Sequence, residues 1–416
     1  MIADPDPHRN PENPAGYRGV LILLAAALAS AAAMLSILPD GPMVDEHFHH
    51  GQILLINSDE SQRVPELTTP LGYHHSVALL ARLFNVESVY GLRAISAFLG
   101  LISVFLAWAY LRQKRSALPV LRSLQILVCP LLWPFYFLLY TDLASLSLVL
   151  AALSLFSAGL FWPSALVGIA MLAWRQNNIV WSGLFWLTHF QTAWPTRGDA
   201  AALRPWIIRT CILALPMVAF LGFLIINRGV AMGDHAMHEI GQKLHPTQVW
   251  FLLLVFWLIL LPLHIASLGE SIRWLRKSLW RMLLILALPA LVMISFDVTH
   301  PYNLALPEFH LRNGVLRLLD TDWRLLLLGS IAMTWSVLTL IVTRVRSPIG
   351  AWLYPVTAIA LLPIELIEQR YYIVPIVLFL LFRKARATAV EVALLLWFLI
   401  LSSGLTAAIA STRYFL

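Results

Sequence analysis

The chain carries little charge and almost no cysteine. Only 12% of its 416 residues are Asp, Glu, Lys or Arg, whereas a soluble domain has about 25%. Both cysteines, Cys129 and Cys211, lie inside apolar runs, so we expect no disulfide framework. There is no HExxH or paired CxxC spacing and no aromatic-plus-basic motif. We therefore expect no metal or other cofactor and no nucleic-acid partner.

Apolar runs of about 20 residues, the length that crosses a bilayer, recur from end to end of the chain. They predict an all-α polytopic membrane protein with short loops and about 12 or 13 crossings. The expected spans are residues 19–38, 88–111, 119–140, 143–161, 163–175, 178–193, 207–227, 247–268, 281–298, 323–343, 348–366, 371–382 and 388–410.

Basic residues are concentrated in short loops on one predicted side of the membrane. These loops are RQKR (112–115), residues 197–209, RWLRKSLWR (273–281), TRVR (343–346) and RKAR (383–386). Positive charge marks the cytoplasmic side, so the N-terminal tail lies there as well. We expect residues 1–18 to be a disordered tail, the first span to be a retained signal-anchor, and residues 19–416 to form one membrane domain.

Polar side chains that could carry chemistry gather on the opposite side. The first loop there, residues 39–87, contains MVDEHFHHGQ (43–52). A carboxylate beside a membrane needs water or a partner, and a positioned carboxylate can act as a general base. Asp45 and Glu46 are therefore catalytic candidates, although DEHF is also typical of a capped helix start. A zinc site using Asp45, His49 and one distant histidine is the weaker alternative.

Two arginines at predicted span ends are candidates for phosphate binding. Arg175 lies in WRQNN (174–178) and Arg370 in IEQRYY (367–372). A planar guanidinium binds phosphate through two parallel hydrogen bonds, although charges at span ends are also common interface anchors. The start TTPLGYHH (68–75) predicts a helix cap with an early proline, and free N–H groups there could hold an anion.

Together these residues indicate a pocket for a lipid that carries a phosphate and a polar head group. A secondary transporter is the main alternative, but transporters bind near mid-membrane and often show internal repeats. Here the ionisable residues cluster at one face, and no repeat is evident.

Six stretches in order resemble the dolichyl-phosphate-glucose-dependent alpha-1,2-glucosyltransferase family. They are DEHFHHGQ (45–52), LTTPLGYH (67–74), RQNNIVW (175–181), GDHAMHEIGQKLHPTQVWF (233–251), HPYNLA (300–305) and ELIEQRYYIVP (365–375). One departure is LPEFH (306–310), which replaces the family's DNRHY; His310 and Arg312 are the candidate substitutes.

The resemblance implies a GT-C membrane fold and an inverting transfer from a polyprenyl (dolichyl-type) phosphate sugar to a lipid-linked glycan. Asp45 would be the general base, with Glu46 in support. The implied donor-binding residues are Arg370, Arg175, Gln176, His49, His238, His300 and Tyr371. The implied acceptor-binding or supporting residues are Thr68, Thr69, Asp142, Asp234 and Glu368.

The resemblance also implies where the enzyme works. The active site would face the periplasm or lumen, in a bacterial inner membrane or the endoplasmic reticulum membrane. A relative that uses mannose or arabinose on the same scaffold is the alternative within the fold.

Overall fold

The computed structural model describes residues 14–194, 200–233, 243–346 and 348–416. Within these ranges the regular structure is helical, with short 3₁₀ turns and no strand longer than an isolated bridge. The α-helices are α1 (Pro14–Ile37), α2 (Glu46–Asn57), α3 (Gly72–Phe84), α4 (Val89–Gln113), α5 (Pro119–Leu127), α6 (Thr141–Ser157), α7 (Phe161–Trp174), α8 (Ile179–Thr192), α9 (Ala200–Asn227), α10 (Thr247–Ile259), α11 (Leu261–Leu275), α12 (Leu279–Ser295), α13 (Pro301–Leu304), α14 (Leu311–Thr321), α15 (Trp323–Val342), α16 (Ile349–Leu361), α17 (Ile373–Phe382) and α18 (Thr388–Ala410).

The expectation of an all-α membrane protein is confirmed. Helices of full spanning length make up some of the expected crossings. Five described helices are long and apolar enough to cross a membrane: α1, α4, α9, α15 and α18. The pair α10 and α11 would make a sixth span but bends by 99°. Five further apolar helices are shorter, at 10–17 residues. Several of the 12 or 13 expected crossings are therefore short or broken helices.

Prolines explain where two expected spans break. The run 119–140 yields only α5, which ends at Leu127, because Pro130 and Pro134 follow and cannot continue a helix. The run 247–268 divides at Leu260, and α11 begins at Leu261 with Pro262 in its first turn. The expected break at WRQNN is confirmed: α7 ends at Trp174, and α8 begins at Ile179.

The N-terminal tail and the first polar loop both hold more helix than the sequence predicted. Helix α1 begins at Pro14, so residues 14–18, expected in a disordered tail, are helical. The first polar loop holds two helices, α2 and α3, which share a second, smaller apolar core with α4 and the segment before α6. That core includes Ile53, Tyr73, Val77, Leu92 and Leu139.

Helix α6 packs against both α4 and α7. Most of its apolar side chains belong to the larger of the two apolar cores. Gly100 of α4 permits this packing, since a Cβ there would lie 3.0 Å from Leu143 Cβ. Every residue of α17 except Val374 is buried. The starts of α2 and α6, the α7–α8 joint and the segment before α17 meet at one end, where the polar residues gather.

The basic loops meet at another place. The Arg346 amide donates to Phe382 O at 2.8 Å, and its guanidinium donates to Lys114 O at 2.8 Å. Arg383 pairs with Glu391 at 2.7 Å. Loops 112–115, 343–346 and 383–386 therefore belong to one surface, as the positive-inside pattern requires.

The start of α3 packs so closely on α7 that only glycine fits. A Cβ on Gly72 would lie 2.5 Å from the carbonyl oxygen of Ala173. We expect Gly72→Ala to lower the thermal midpoint in detergent, because such overpacking costs about 1–3 kcal/mol. Gly183→Ala in α8 is the matched control: nothing lies within 4 Å of its Cβ, and alanine should raise the midpoint. Equal midpoints for the two variants would contradict this packing.

Candidate active site

A polar cavity of about 480 Å³ lies at the end where the four segments meet. Its walls combine carboxylates, guanidinium groups, one imidazole of the first loop and several aromatic rings. Its polar and aromatic lining includes Asp45, His49, Glu66, Thr68, Thr69, Tyr140, Thr141, Arg175, Tyr302, His310, Arg312, Glu368, Gln369, Arg370, Tyr371 and Phe415.

Asp45 sits immediately before α2 and reaches this cavity. It occupies the cap position, but its side chain accepts no capping hydrogen bond. Instead its Oδ2 accepts from Arg370 Nη2 at 2.8 Å. The side chain is 36% exposed. The carboxylate is therefore held in place and still open to a substrate.

Glu46, the neighbouring acid, points away into the protein. It is fully buried, and Arg93 of α4 donates to both its oxygens, at 3.0 and 2.6 Å. The backbone amides of Met43 and Leu139 also donate to it, at 2.8 and 2.7 Å. With this many donors its role is to anchor the start of α2, which in turn places Asp45.

Arg370 is the centre of the charged groups. Its Nε donates to Glu368 Oε1 at 2.6 Å, and its Nη1 lies 4.0 Å from Asp142 Oδ2. The guanidinium also lies over the ring of Tyr140, 4.9 Å from its centroid. Arg370 thus connects the first loop, the start of α6 and the segment before α17.

Two more arginines complete a balanced network. Arg175 donates to Asp142, and Arg312 Nη1 lies 2.9 Å from Glu368 Oε1. Burial raises the pKa of Glu368, but the adjacent Arg370 and Arg312 lower it by more than burial raises it. The net shift of the pKa is downward, so Glu368 is ionised at neutral pH. Three cations and three carboxylates thus pair with one another in this network, and all of them except Asp142 line the polar cavity.

The histidines expected at the site do not all line the cavity. His49 is buried at the cavity wall, and its Nδ1 lies 2.9 Å from His74 Nε2. His300 precedes α13 and caps it, with Nδ1 accepting from the Tyr302 amide at 3.1 Å. His310 and Arg312, the candidates at the LPEFH departure, both line the cavity. His238 and Asp234 lie outside the described residues.

The TTP segment is not a helix cap, contrary to the expectation. Helix α3 begins at Gly72 after Leu71, with no side-chain cap. The carbonyl of Thr68 accepts from Gln176 Nε2 at 2.8 Å, and that of Thr69 accepts from Arg63 at 2.6 Å. These bonds hold the segment before α3 as cavity wall. Gln176 therefore supports the wall through a backbone contact.

A second, largely apolar cavity of about 270 Å³ adjoins the first. Apolar side chains from α8, α9, α16 and α17 line it, among them Val180, Trp181, Phe220, Ile359 and Ile373. Asp142, Arg175, Arg370 and Tyr371 also line this cavity. The two arginines and Tyr371 thus belong to a wall shared by the polar and the apolar cavity.

Sequence reasoning passed over several residues that the fold brings to this site. A lone arginine inside an apolar helix must find a partner, and this signal could have identified Arg93. His74 lay in a quoted stretch without a role, and Tyr140 lay at the end of an expected span. Phe415 gave no signal at all, because only the fold brings it to the cavity. No group of three or more His, Cys, Asp or Glu side chains suited to a metal ion occurs in the described ranges.

Fold and site together define a multi-pass membrane protein with a charged cavity next to an apolar one. The sequence model of the DIE2/ALG10 family matches residues 40–201 and 196–381, which is most of the chain. The chain belongs to the DIE2/ALG10 family, as the resemblance predicted.

Curated relatives carry the name Dol-P-Glc:Glc(2)Man(9)GlcNAc(2)-PP-Dol alpha-1,2-glucosyltransferase. The one from Arabidopsis thaliana is 27% identical over 86% of this chain and 89% of its own length. The one from Drosophila melanogaster is 27% identical over 81% and 82%. The Candida albicans relative is 27% identical over 62% of this chain, and the match spans only 61% of that relative.

Among solved structures, ArnT from Cupriavidus metallidurans in the apo state aligns with a TM-score of 0.46 and 14% identity. The alignment covers 96% of this chain and 78% of that one. This likeness is too weak to carry an argument about the fold or the site.

Removing Glu46 should destabilise the protein, because Arg93 would remain buried without a counter-charge. We expect Glu46→Ala to cost about 3–5 kcal/mol of unfolding free energy. Glu308→Ala is the matched control, since its pair with Arg317 is 79% and 60% exposed and should contribute less than about 1 kcal/mol. Thermal unfolding in detergent compares the two, and similar small shifts would remove the anchoring role.

Proposed function

We propose that this protein is an inverting glucosyltransferase of the non-cytoplasmic membrane face. It moves glucose from a dolichyl-type polyprenyl-phosphate glucose to a hydroxyl of a lipid-linked oligosaccharide. The observation that supports this most is the open carboxylate of Asp45, held by Arg370 in the wall shared by a polar and an apolar cavity. The family and the names of the curated relatives supply the reaction class.

The two cavities match the two halves of such a donor. An isoprenoid chain suits the apolar cavity between α8, α9, α16 and α17. Its phosphate would then lie at Arg370 and Arg175, whose planar groups bind phosphate oxygens in pairs. The sugar would project into the polar cavity beside Asp45.

Asp45 is placed to act as the general base. Its Oδ2 accepts a hydrogen bond from Arg370, while Oδ1 accepts none from any described residue. In the proposed step the acceptor oxygen attacks the anomeric carbon of glucose, and its proton passes to Asp45. The bond from that carbon to the phosphate oxygen breaks, and the lipid phosphate leaves with the electron pair. One displacement inverts the anomeric configuration.

The leaving phosphate gains negative charge as this bond breaks. Arg370 and Arg175 already lie in place, so the charge develops next to positioned donors in a partly buried wall. The N–H donors of Arg370 would then be shared between the phosphate and the carboxylates of Glu368 and Asp45. Glu368 and Asp142 would keep the two guanidinium groups oriented during this exchange.

The orientation in the membrane rests on charge. Loops 112–115, 343–346 and 383–386 contact one another away from the site, and such basic loops stay cytoplasmic. We therefore place the cavity on the lumenal or periplasmic side. The GT-C architecture and a single membrane domain over residues 19–416 remain predictions.

Loss of the Asp45 carboxylate should abolish transfer while leaving the fold intact. We expect Asp45→Asn to reduce kcat by about 10²–10⁴-fold, the usual contribution of a general base. The assay gives purified protein dolichyl-phosphate glucose and a lipid-linked oligosaccharide, with and without EDTA. Asp59→Asn is the matched control, because Asp59 is 85% exposed and pairs with Arg82 at the surface.

Outcomes of this assay separate the alternatives. Full activity of Asp45→Asn would move the base elsewhere. Transfer by wild type from a mannose or arabinose lipid phosphate, but not from glucose, would overturn the donor sugar. Loss of activity in EDTA would show that a metal ion takes part.

The arginine fork should matter more than its charge alone. Arg370→Lys keeps a cation but loses the planar group that contacts Glu368 and Asp45 together. We expect kcat to fall by about 10²-fold or more, as when one preorganised donor is removed. Arg317→Lys on the surface should leave kcat unchanged. If Arg370→Lys retains wild-type turnover, the phosphate is held elsewhere.

A further inference from the structure

A pair of buried histidines lies behind the polar cavity. His49 of α2 lines the cavity, and His74 of α3 lies directly behind it with no exposed surface. The distance from His49 Nδ1 to His74 Nε2 is 2.9 Å, and the two ring planes differ by 18°. The ring centroids are 5.1 Å apart, which is close to the nitrogen–nitrogen distance plus the two lengths from ring centre to nitrogen. The rings therefore lie end to end rather than face to face, and they share one proton along an in-plane hydrogen bond.

The surroundings of His74 decide which ring donates. Its other nitrogen, Nδ1, is buried and has no hydrogen-bond partner among the described residues. A buried N–H without an acceptor costs more than an unused lone pair, and such orphaned donors are rare. The proton of His74 therefore belongs on Nε2, which donates to His49 Nδ1.

This arrangement leaves the proton of His49 on Nε2. That atom makes no hydrogen bond to any described residue, and the ring lines the cavity. Both rings stay neutral at physiological pH. Burial is the main reason that the pKa of each is lowered, for His74 to about 3, and for His49 the neighbouring His74 and Arg370 add to the effect.

We propose that His74 is a positioning residue that sets the tautomer of His49, so that His49 Nε2–H is a fixed neutral donor to a substrate oxygen in the cavity. The identity of that oxygen, on the phosphate or on the sugar, rests on the function proposed above. A neutral donor binds such an oxygen without adding a further positive charge that would repel Arg370 and Arg175. It also leaves proton transfer to Asp45 alone.

Nitrogen NMR of protein labelled at histidine tests the tautomer without any assay. The His49 signals are those that disappear in His49→Gln. In wild type we expect a protonated Nε2 and an unprotonated Nδ1 for His49. A protonated Nδ1 would overturn the proposal, whatever the enzyme transfers. In His74→Phe the preference should relax towards a mixture of tautomers.

Kinetics then tests whether His74 acts through His49. We expect kcat/KM for glucose transfer to fall about tenfold or more in His74→Phe, as for a lost hydrogen-bond partner. His74→Gln, whose Nε2 can replace that of His74, should recover most of the loss. His75→Phe is the matched control, because His75 is the next residue of α3 and is exposed.

A double-mutant cycle separates positioning from packing. If His74 works only through His49, then His49→Phe/His74→Phe should be no slower than His49→Phe alone. Additive losses would show an independent, structural role for His74 and overturn the proposal. A larger rise in KM for the donor than for the acceptor assigns the hydrogen bond to the donor, and the reverse assigns it to the acceptor. Unchanged kcat and KM in His49→Phe would also overturn it.

Discussion

The contact between Asp45 and Arg370 is the interaction on which the site depends. The two residues are 325 positions apart in the chain, yet Oδ2 and Nη2 lie 2.8 Å apart. A charge at the edge of an apolar body needs a partner, so each group restricts where the other can lie. The pairing draws the first polar loop onto the segment before α17. The cavity exists because those two segments meet.

Two further ion pairs hold the segments on either side of that contact in place. Glu46 and Arg93 are buried at 0% and 2% exposure, which fixes the first turn of α2 just beyond Asp45. Arg175 and Asp142 join the α7–α8 joint to the start of α6. The net stability that a buried pair adds is small, because desolvation offsets the attraction, but breaking one leaves an uncompensated buried charge. Each of these two pairs therefore holds together the two segments that it joins. The carboxylate at the cavity is thus positioned by its neighbour in the sequence and by its partner in space.

The wall shared by the two cavities separates an apolar space from a polar one. One side of Arg175, Arg370 and Tyr371 is largely apolar, and the other is polar. A ligand with an isoprenoid chain, a phosphate and a sugar has the same order of properties. The reacting atoms would then lie at the boundary between lipid and water. At that boundary a membrane enzyme can bring together a lipid-linked donor and a hydrophilic acceptor group.

The sequence by itself determined the membrane class, most helix positions, the family and most of the acids and arginines that line the two cavities. Hydropathy, loop charge and ordered motifs are local properties, so they can be read without a fold. Only the tertiary structure decided that Glu46 turns inward to Arg93 and that Thr68 and Thr69 form wall instead of a cap. It alone brought His74 behind His49 and Phe415 to the cavity. Those outcomes depend on partners distant in the chain, and no local pattern names the partner of a buried polar group.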